Sequence, residues 1–100
     1  MRDSKRFNSS SYQWNKNPEY NKIFLTSQEN YFNDLLKTKG YVFLNEVYKA
    51  LGIRESRFGQ RMGWVAGGKK INFNAKEKSY GEFELRFTNL KNILDALPEY

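Results

Sequence analysis

Cysteine and histidine are both missing from this 100-residue chain. Without cysteine there is no disulfide framework, no thiol nucleophile and no thiolate zinc site. Without histidine the Ser-His-Asp triad and the usual general base near neutral pH are lost as well. The 11 acidic residues are scattered singly and form no calcium loop, and no glycine-rich stretch has the spacing of a phosphate cradle. The expectation is therefore a protein that is not an enzyme, with no cofactor and no metal site. Long apolar runs are missing too. Nothing approaches the roughly 20 residues a membrane span needs, and the opening Met1-Arg2-Asp3-Ser4-Lys5-Arg6 lacks the apolar core of a secretory signal. A soluble cytoplasmic protein with no membrane partner is expected, built at this length around one small core.

Positive charge and aromatic residues are what the chain has in excess. Lys and Arg number 17 against 11 Asp and Glu, a net charge of +6, and aromatics make up 17% of residues. The excess is local. In 1–16, Arg2, Lys5, Arg6 and Lys16 meet one acid, Asp3, and in 54–70, Arg54, Arg57, Arg61, Lys69 and Lys70 meet only Glu55. Elsewhere the signs nearly balance. Charge concentrated in this way favours a polyanionic partner over simple solubility.

Residues 1–17, with Asn8-Ser9-Ser10-Ser11 and no apolar periodicity, read as a flexible basic N-terminal arm, leaving 18–100 as the domain proper. Phe7, Tyr12 and Trp14 in that arm suit either base stacking or a tether back onto the domain. Asn17-Pro18 is a helix-start signal. Tyr20, Phe24, Tyr31 and Leu35, joined by Phe32 and Leu36, recur at helical spacing up to Gly40, as one long helix or as two broken around Thr26-Ser27-Gln28. Tyr41-Val42-Phe43 reads as a short strand, the third member of a small sheet. Leu44, Val47, Tyr48 and Leu51 then give a compact helix that Gly52 stops.

Beyond Gly52-Ile53, the positions Phe58, Met62 and Val65 at i, i+4 and i+7 predict a second helix over about 54–65. With that stripe inward, the helical step of about 100° per residue points Ser56 and Gln60 outward, sets Arg57 beside them and leaves Arg61 on the flank. The ring of Tyr48 is expected to pack over Gly59. After Gly67-Gly68, apolar residues alternate with polar ones at Ile71, Phe73 and Ala75 and again at Phe83, Leu85 and Phe87, which predicts a hairpin. A register with Lys76 opposite Glu82 and Asn72 opposite Arg86 pairs most of its charges. Leu90, Ile93, Leu94 and Leu97 close the chain with a C-terminal helix ended by Pro98, its stripe either covering the sheet or pairing with a second copy as a homodimer.

The expected class is α+β: three helices, a small antiparallel sheet and a C-terminal helix. Helix, short strand, helix, glycine-containing turn, helix and hairpin in that order resemble a winged helix-turn-helix domain across about Pro18–Thr88. Separately, Tyr31-Phe32-Asn33-Asp34-Leu35-Leu36, then Gly40-Tyr41-Val42-Phe43-Leu44-Asn45-Glu46-Val47-Tyr48-Lys49-Ala50-Leu51-Gly52 and later Gly63-Trp64-Val65, resemble a group of small uncharacterised proteins of phages and mobile elements of Gram-positive bacteria. That likeness spans about a third of the chain, brings no activity with it, and departs at Gly67-Gly68-Lys69-Lys70, where the group continues with more acidic residues.

The functional expectation is a small regulatory protein, encoded by a phage or a mobile element, that binds double-stranded DNA. Ser56, Arg57, Gln60 and Arg61 would enter a major groove about 12 Å wide, where Arg pairs with guanine and Gln with adenine. Arg54, Lys69 and Lys70 would take phosphates, as would Arg2, Lys5 and Arg6 of the arm and Lys76 and Lys78 near the hairpin tip. The competing expectation is a factor that binds a host protein and inhibits a host enzyme or defence system without catalysis, anchored by Trp64, Tyr80 and Trp14.

Overall fold

A computed structural model describes residues 1–96. In chain order its elements are β1 (Asp3–Phe7), α1 (Pro18–Lys39), β2 (Tyr41–Phe43), α2 (Leu44–Leu51), α3 (Arg57–Arg61), β3 (Met62–Val65), β4 (Lys76–Ser79), β5 (Glu82–Phe87), β6 (Lys91–Asn92) and α4 (Ile93–Ala96). The fold is α+β, with two antiparallel three-stranded sheets of order β1-β5-β4 and β2-β3-β6. No helix among the described residues is long and apolar enough to cross a membrane.

The segment expected as a flexible arm is part of the fold. β1 pairs with β5 from Asp3↔Phe87 to Phe7↔Phe83. Phe7 is fully buried, with its ring stacked on Phe24 of α1 at 5.8 Å. Beyond it, the buried Ser11 hydroxyl donates to the Leu51 carbonyl at the end of α2. The half-buried Trp14 lies over Gly81, and its indole N–H donates to the Gly81 carbonyl at 2.6 Å. Burial of Phe7, packing of Trp14 and pairing of the backbone oppose the mobility that the arm's composition suggests, while Tyr12 stays exposed.

α1 is one helix, not two. The Asn17 side chain accepts from the Glu19 N–H at 2.9 Å, Pro18 opens the first turn, and Gly40 closes the last in a left-handed conformation with its N–H on the Leu36 carbonyl. Its core face carries Asn21, Leu25, Phe32 and Leu36, while Tyr20 and Tyr31 of the expected stripe stay half exposed. α2 has the bounds its glycines mark, with Gly52 left-handed at its end.

The longest misreading lies just after. The helix expected over 54–65 runs only from Arg57 to Arg61, and Met62 turns into an extended conformation that begins β3. Gly63 supplies the reason. A Cβ there would sit 2.0 Å from the Val42 carbonyl oxygen, so β2 passes close across a position that only glycine fills. β2 therefore pairs with β3, Val42 opposite Trp64, and not with the hairpin.

The hairpin is also displaced. Ile71 and Phe73 are buried as the alternation implies, but 71–75 is irregular, and its backbone is shared between α1 side chains and one bond from β5, the Arg86 N–H donating to the Phe73 carbonyl at 2.8 Å. The Asn33 amide accepts from the Ile71 N–H at 2.8 Å and donates to the Ile71 carbonyl at 2.9 Å, and Glu29 accepts from the Phe73 N–H at 2.8 Å. The ladder proper starts at Lys76, which faces Glu84 and not Glu82, with a bulge between Glu77 and Ser79. Asn72, expected opposite Arg86, lies outside it. At the chain's end, Leu90 and Ile93 are buried around β6, which interrupts the expected terminal helix, and Leu94 is exposed. Leu97 and Pro98 of that expected helix and homodimer face lie outside the described residues.

Phe87 joins the two sheets. Its ring meets Tyr48 of α2 at 5.5 Å, Phe73 at 5.6 Å and Trp64 of β3 at 6.4 Å, each edge to face, a geometry that adds about 0.5–1.5 kcal/mol per pair beyond burial.

Candidate nucleic-acid interface

α3 is too short to hold its place by helical propensity. Its position comes from the turn before it. Asn45, on α2, accepts from the Ser56 N–H at 3.0 Å and donates to the Ser56 carbonyl at 2.9 Å, so one side-chain amide clamps both backbone groups of the residue that starts α3. Ser56 caps the helix, its hydroxyl accepting from the Gly59 N–H at 2.9 Å. Gly59 is buried against this clamp, where a Cβ would lie 2.1 Å from the Asn45 amide oxygen. The small residue is there for Asn45, not for the Tyr48 ring, which packs on Phe87 and whose hydroxyl donates to Asp3. The Ser56 hydroxyl thereby accepts the cap bond, which orients it toward α3 and leaves its O–H as the donor it can still offer.

Arg57, Gln60 and Arg61 are exposed and line one shallow groove together with Leu94. Arg54 is exposed in the turn ahead of them. β3 then runs alongside β6, Met62 opposite Asn92 and Gly63 opposite Lys91, and ends in the Ala66–Gly68 turn. A Cβ on Gly68 would lie 3.8 Å from the Lys91 ammonium, and Lys91, Lys69, Gly67, Gly68, Asn89, Leu90 and Met1 line a second groove. The α3 cations thus precede β3 and Lys69 follows it, while Lys91, opposite Gly63, extends its ammonium toward the Ala66–Gly68 turn. Among the described residues no carboxylate lies within 4.0 Å of Arg54, Arg57, Arg61, Lys69, Lys70 or Lys91, whereas Lys22, Lys39 and Lys78 are all ion-paired. Sequence reading missed Lys91 because it placed that residue on a helix, and only the pairing of β6 reveals its neighbours.

Several expected contact residues are elsewhere. Lys5 turns inward, its ammonium 5.5 Å from the centre of the Tyr48 ring. Arg2 and Arg6 are exposed at β1, and Lys76 and Lys78 lie on β4, two strands away through β5. Lys78 is 4.0 Å from Glu84. The hairpin tip is pinned at Gly81, whose carbonyl accepts from Trp14 and, at 3.1 Å, from the buried Asn21 amide, so it does not project as a wing. Of the three expected protein-binding anchors, Trp64 is 1% exposed with its indole N–H on the Thr88 carbonyl, Trp14 is packed on Gly81, and only Tyr80 stands out, at 79% exposed.

Burial, then the hydrogen bond to Asp3 and its negative charge, push the Tyr48 phenol far above its usual range, so near neutral pH it keeps its proton and donates to Asp3.

Residues 3–94 match a family described as a family of unknown function (DUF6353). No curated protein and no solved structure matches the chain.

Proposed function

Since the chain belongs to that family, whose description carries no activity, we propose from this surface alone that the protein binds double-stranded DNA through α3 and the neighbouring β3–β6 edge. One observation carries the reading: Arg57, Gln60 and Arg61 stand outward on a helix whose position is fixed by the Asn45 clamp, and no carboxylate among the described residues lies within 4.0 Å of either guanidinium. Arginine and glutamine are the side chains with two-pronged pairing to guanine and adenine edges. Arg54, Lys69, Lys70 and Lys91 take phosphates around them. α2, the clamped turn and α3 act as a helix-turn-helix unit without a projecting wing, and a regulatory role is the use that reading a site in this way would serve.

The test is a salt-titrated binding isotherm on duplex DNA. Binding weakens steeply with salt as counterions are released. Arg57→Ala costs about 1–3 kcal/mol on the preferred site and flattens the ranking among sites. No duplex binding at low salt ends this reading. A single stoichiometric protein captured from nuclease-treated host extract, through a surface that includes Tyr80, would favour the protein-binding alternative.

A further inference from the structure

The register of the β1-β5-β4 sheet gathers cations that lie far apart in the chain. Directly opposed residues in an antiparallel pair share a face. Arg6 faces Glu84 across one ladder and Lys76 faces the same Glu84 across the other, while Ser4 faces Arg86. The alternate positions point the other way. Phe7, Phe83, Leu85 and Phe87 are buried, and Glu77 turns toward Lys22 and the Gly81 N–H. The solvent face therefore carries Arg6, Lys76, Lys78 and Arg86 against Glu82 and Glu84, with the exposed Arg2 just ahead of β1. Glu84 lies between Arg6 and Lys76 in register and 4.0 Å from the Lys78 ammonium, and Arg86 opposes a serine. Strand spacing of about 4.8 Å puts the Arg6 and Lys76 backbones roughly 10 Å apart on either side of that one carboxylate.

We propose that this sheet face is a second phosphate-contacting surface, which takes the sugar-phosphate backbone of double-stranded DNA without reading its bases. It rests on the DNA-binding reading and adds to it a surface that gives affinity without sequence preference. Charge complementarity identifies the occupant: a rigid face with more cations than its carboxylates neutralise meets a regular row of anions. The chemistry of the face separates DNA from other polyanions. The outward side chains of its strands are Ser, Glu, Lys and Arg, with no aromatic among them to stack on unpaired bases and no apolar side chain among them to enter a bilayer; the exposed Tyr80 lies beyond them at the hairpin tip.

The experiment compares the wild type with an Arg6→Gln, Lys76→Gln, Arg86→Gln variant and an Arg57→Ala, Gln60→Ala, Arg61→Ala variant, by salt titration on several duplexes and on phosphatidylserine vesicles. The sheet variant is expected to bind every duplex on the order of a hundredfold more weakly at about 0.1 M salt, with the slope of log K against log salt reduced by about 2–3 and the ranking of duplexes unchanged. Wild-type affinity and slope in the sheet variant, with binding lost in the α3 variant, overturn the second surface and leave the α3 reading standing. The reverse pattern keeps the sheet face and removes α3. A wild type that binds no duplex overturns both, and vesicle binding that alone depends on these residues assigns the face to a membrane. Matched thermal melts check the fold of each variant, and Arg86→Gln alone, with a slope change of about 1, repeats the test where the triple variant is unstable.

Discussion

The two basic segments of the chain are anchored by opposite means. Residues 1–16 are held by apolar burial: Phe7 is in the core, β1 completes a sheet, and Trp14 covers the hairpin tip. Residues 54–61 are held by polar fit: an asparagine amide grips Ser56, and a glycine lets α3 approach it. The first arrangement spreads its cations over a sheet face beside a shared carboxylate, and the second leaves its guanidinium groups outward. Composition locates a charge excess, but the backbone's anchoring decides what the excess is available for.

If the contrast is sound, the largest loss comes from the apolar anchor. Phe7→Ala is expected to destabilise the fold by about 3–5 kcal/mol, read as a lower denaturation midpoint with early amide exchange in β1. A midpoint like the wild type's would mean that the ladder alone holds that strand. The polar anchor gives less. Gly59→Ala forces the Asn45 amide off the Ser56 N–H and is expected to cost about 1–3 kcal/mol, an unpaired buried group being the main penalty. Equal or higher stability would show that the close approach is not there.

A smaller effect sits where α2 touches β1. Tyr48→Phe removes a hydrogen bond to Asp3 and should cost about 1–2 kcal/mol near neutral pH. Its sharper signature is alkaline. The unfolded phenol ionises from about pH 10, while the folded one keeps its proton, so the stabilisation is complete below that pH and is lost as pH rises beyond it. The phenylalanine variant should show a flatter decline above pH 10, and an unchanged slope would show that Tyr48 is not the group responsible.

Local signals carried much of this fold. Asn17-Pro18, Gly40 and Gly52 set the ends of α1 and α2 because caps depend only on neighbouring residues. β1 had no such signal, since its partner is about 80 positions away and its apolar content is the single Phe7. The 58–65 stripe fits a helix and the start of a strand equally well, and the contact that decides between them, Val42 against Gly63, is tertiary. The irregular 71–75 stretch shows the right burial with the wrong secondary structure, because Asn33 and Glu29 take three of the Ile71 and Phe73 backbone groups and leave one backbone bond to β5, from the Arg86 N–H to the Phe73 carbonyl. At the candidate interface, the exposure of Arg57, Gln60 and Arg61 followed from the angular step around Phe58. The capping duty of Ser56, the inward turn of Lys5 and the approach of Lys91 to Gly68 did not.

The pairing of β1 with β5 also orders events in time. A ribosome that has made the first eighty residues has delivered α1, α2, α3 and β3 together, but nothing for β1 to pair with. Only when Glu82–Phe87 emerges can the earliest strand find its place, and the Leu90 N–H then closes on the Met1 carbonyl at 3.0 Å. Contacts of such long sequence separation are slow to form, so the docking of β1 waits on a strand made about eighty residues after it.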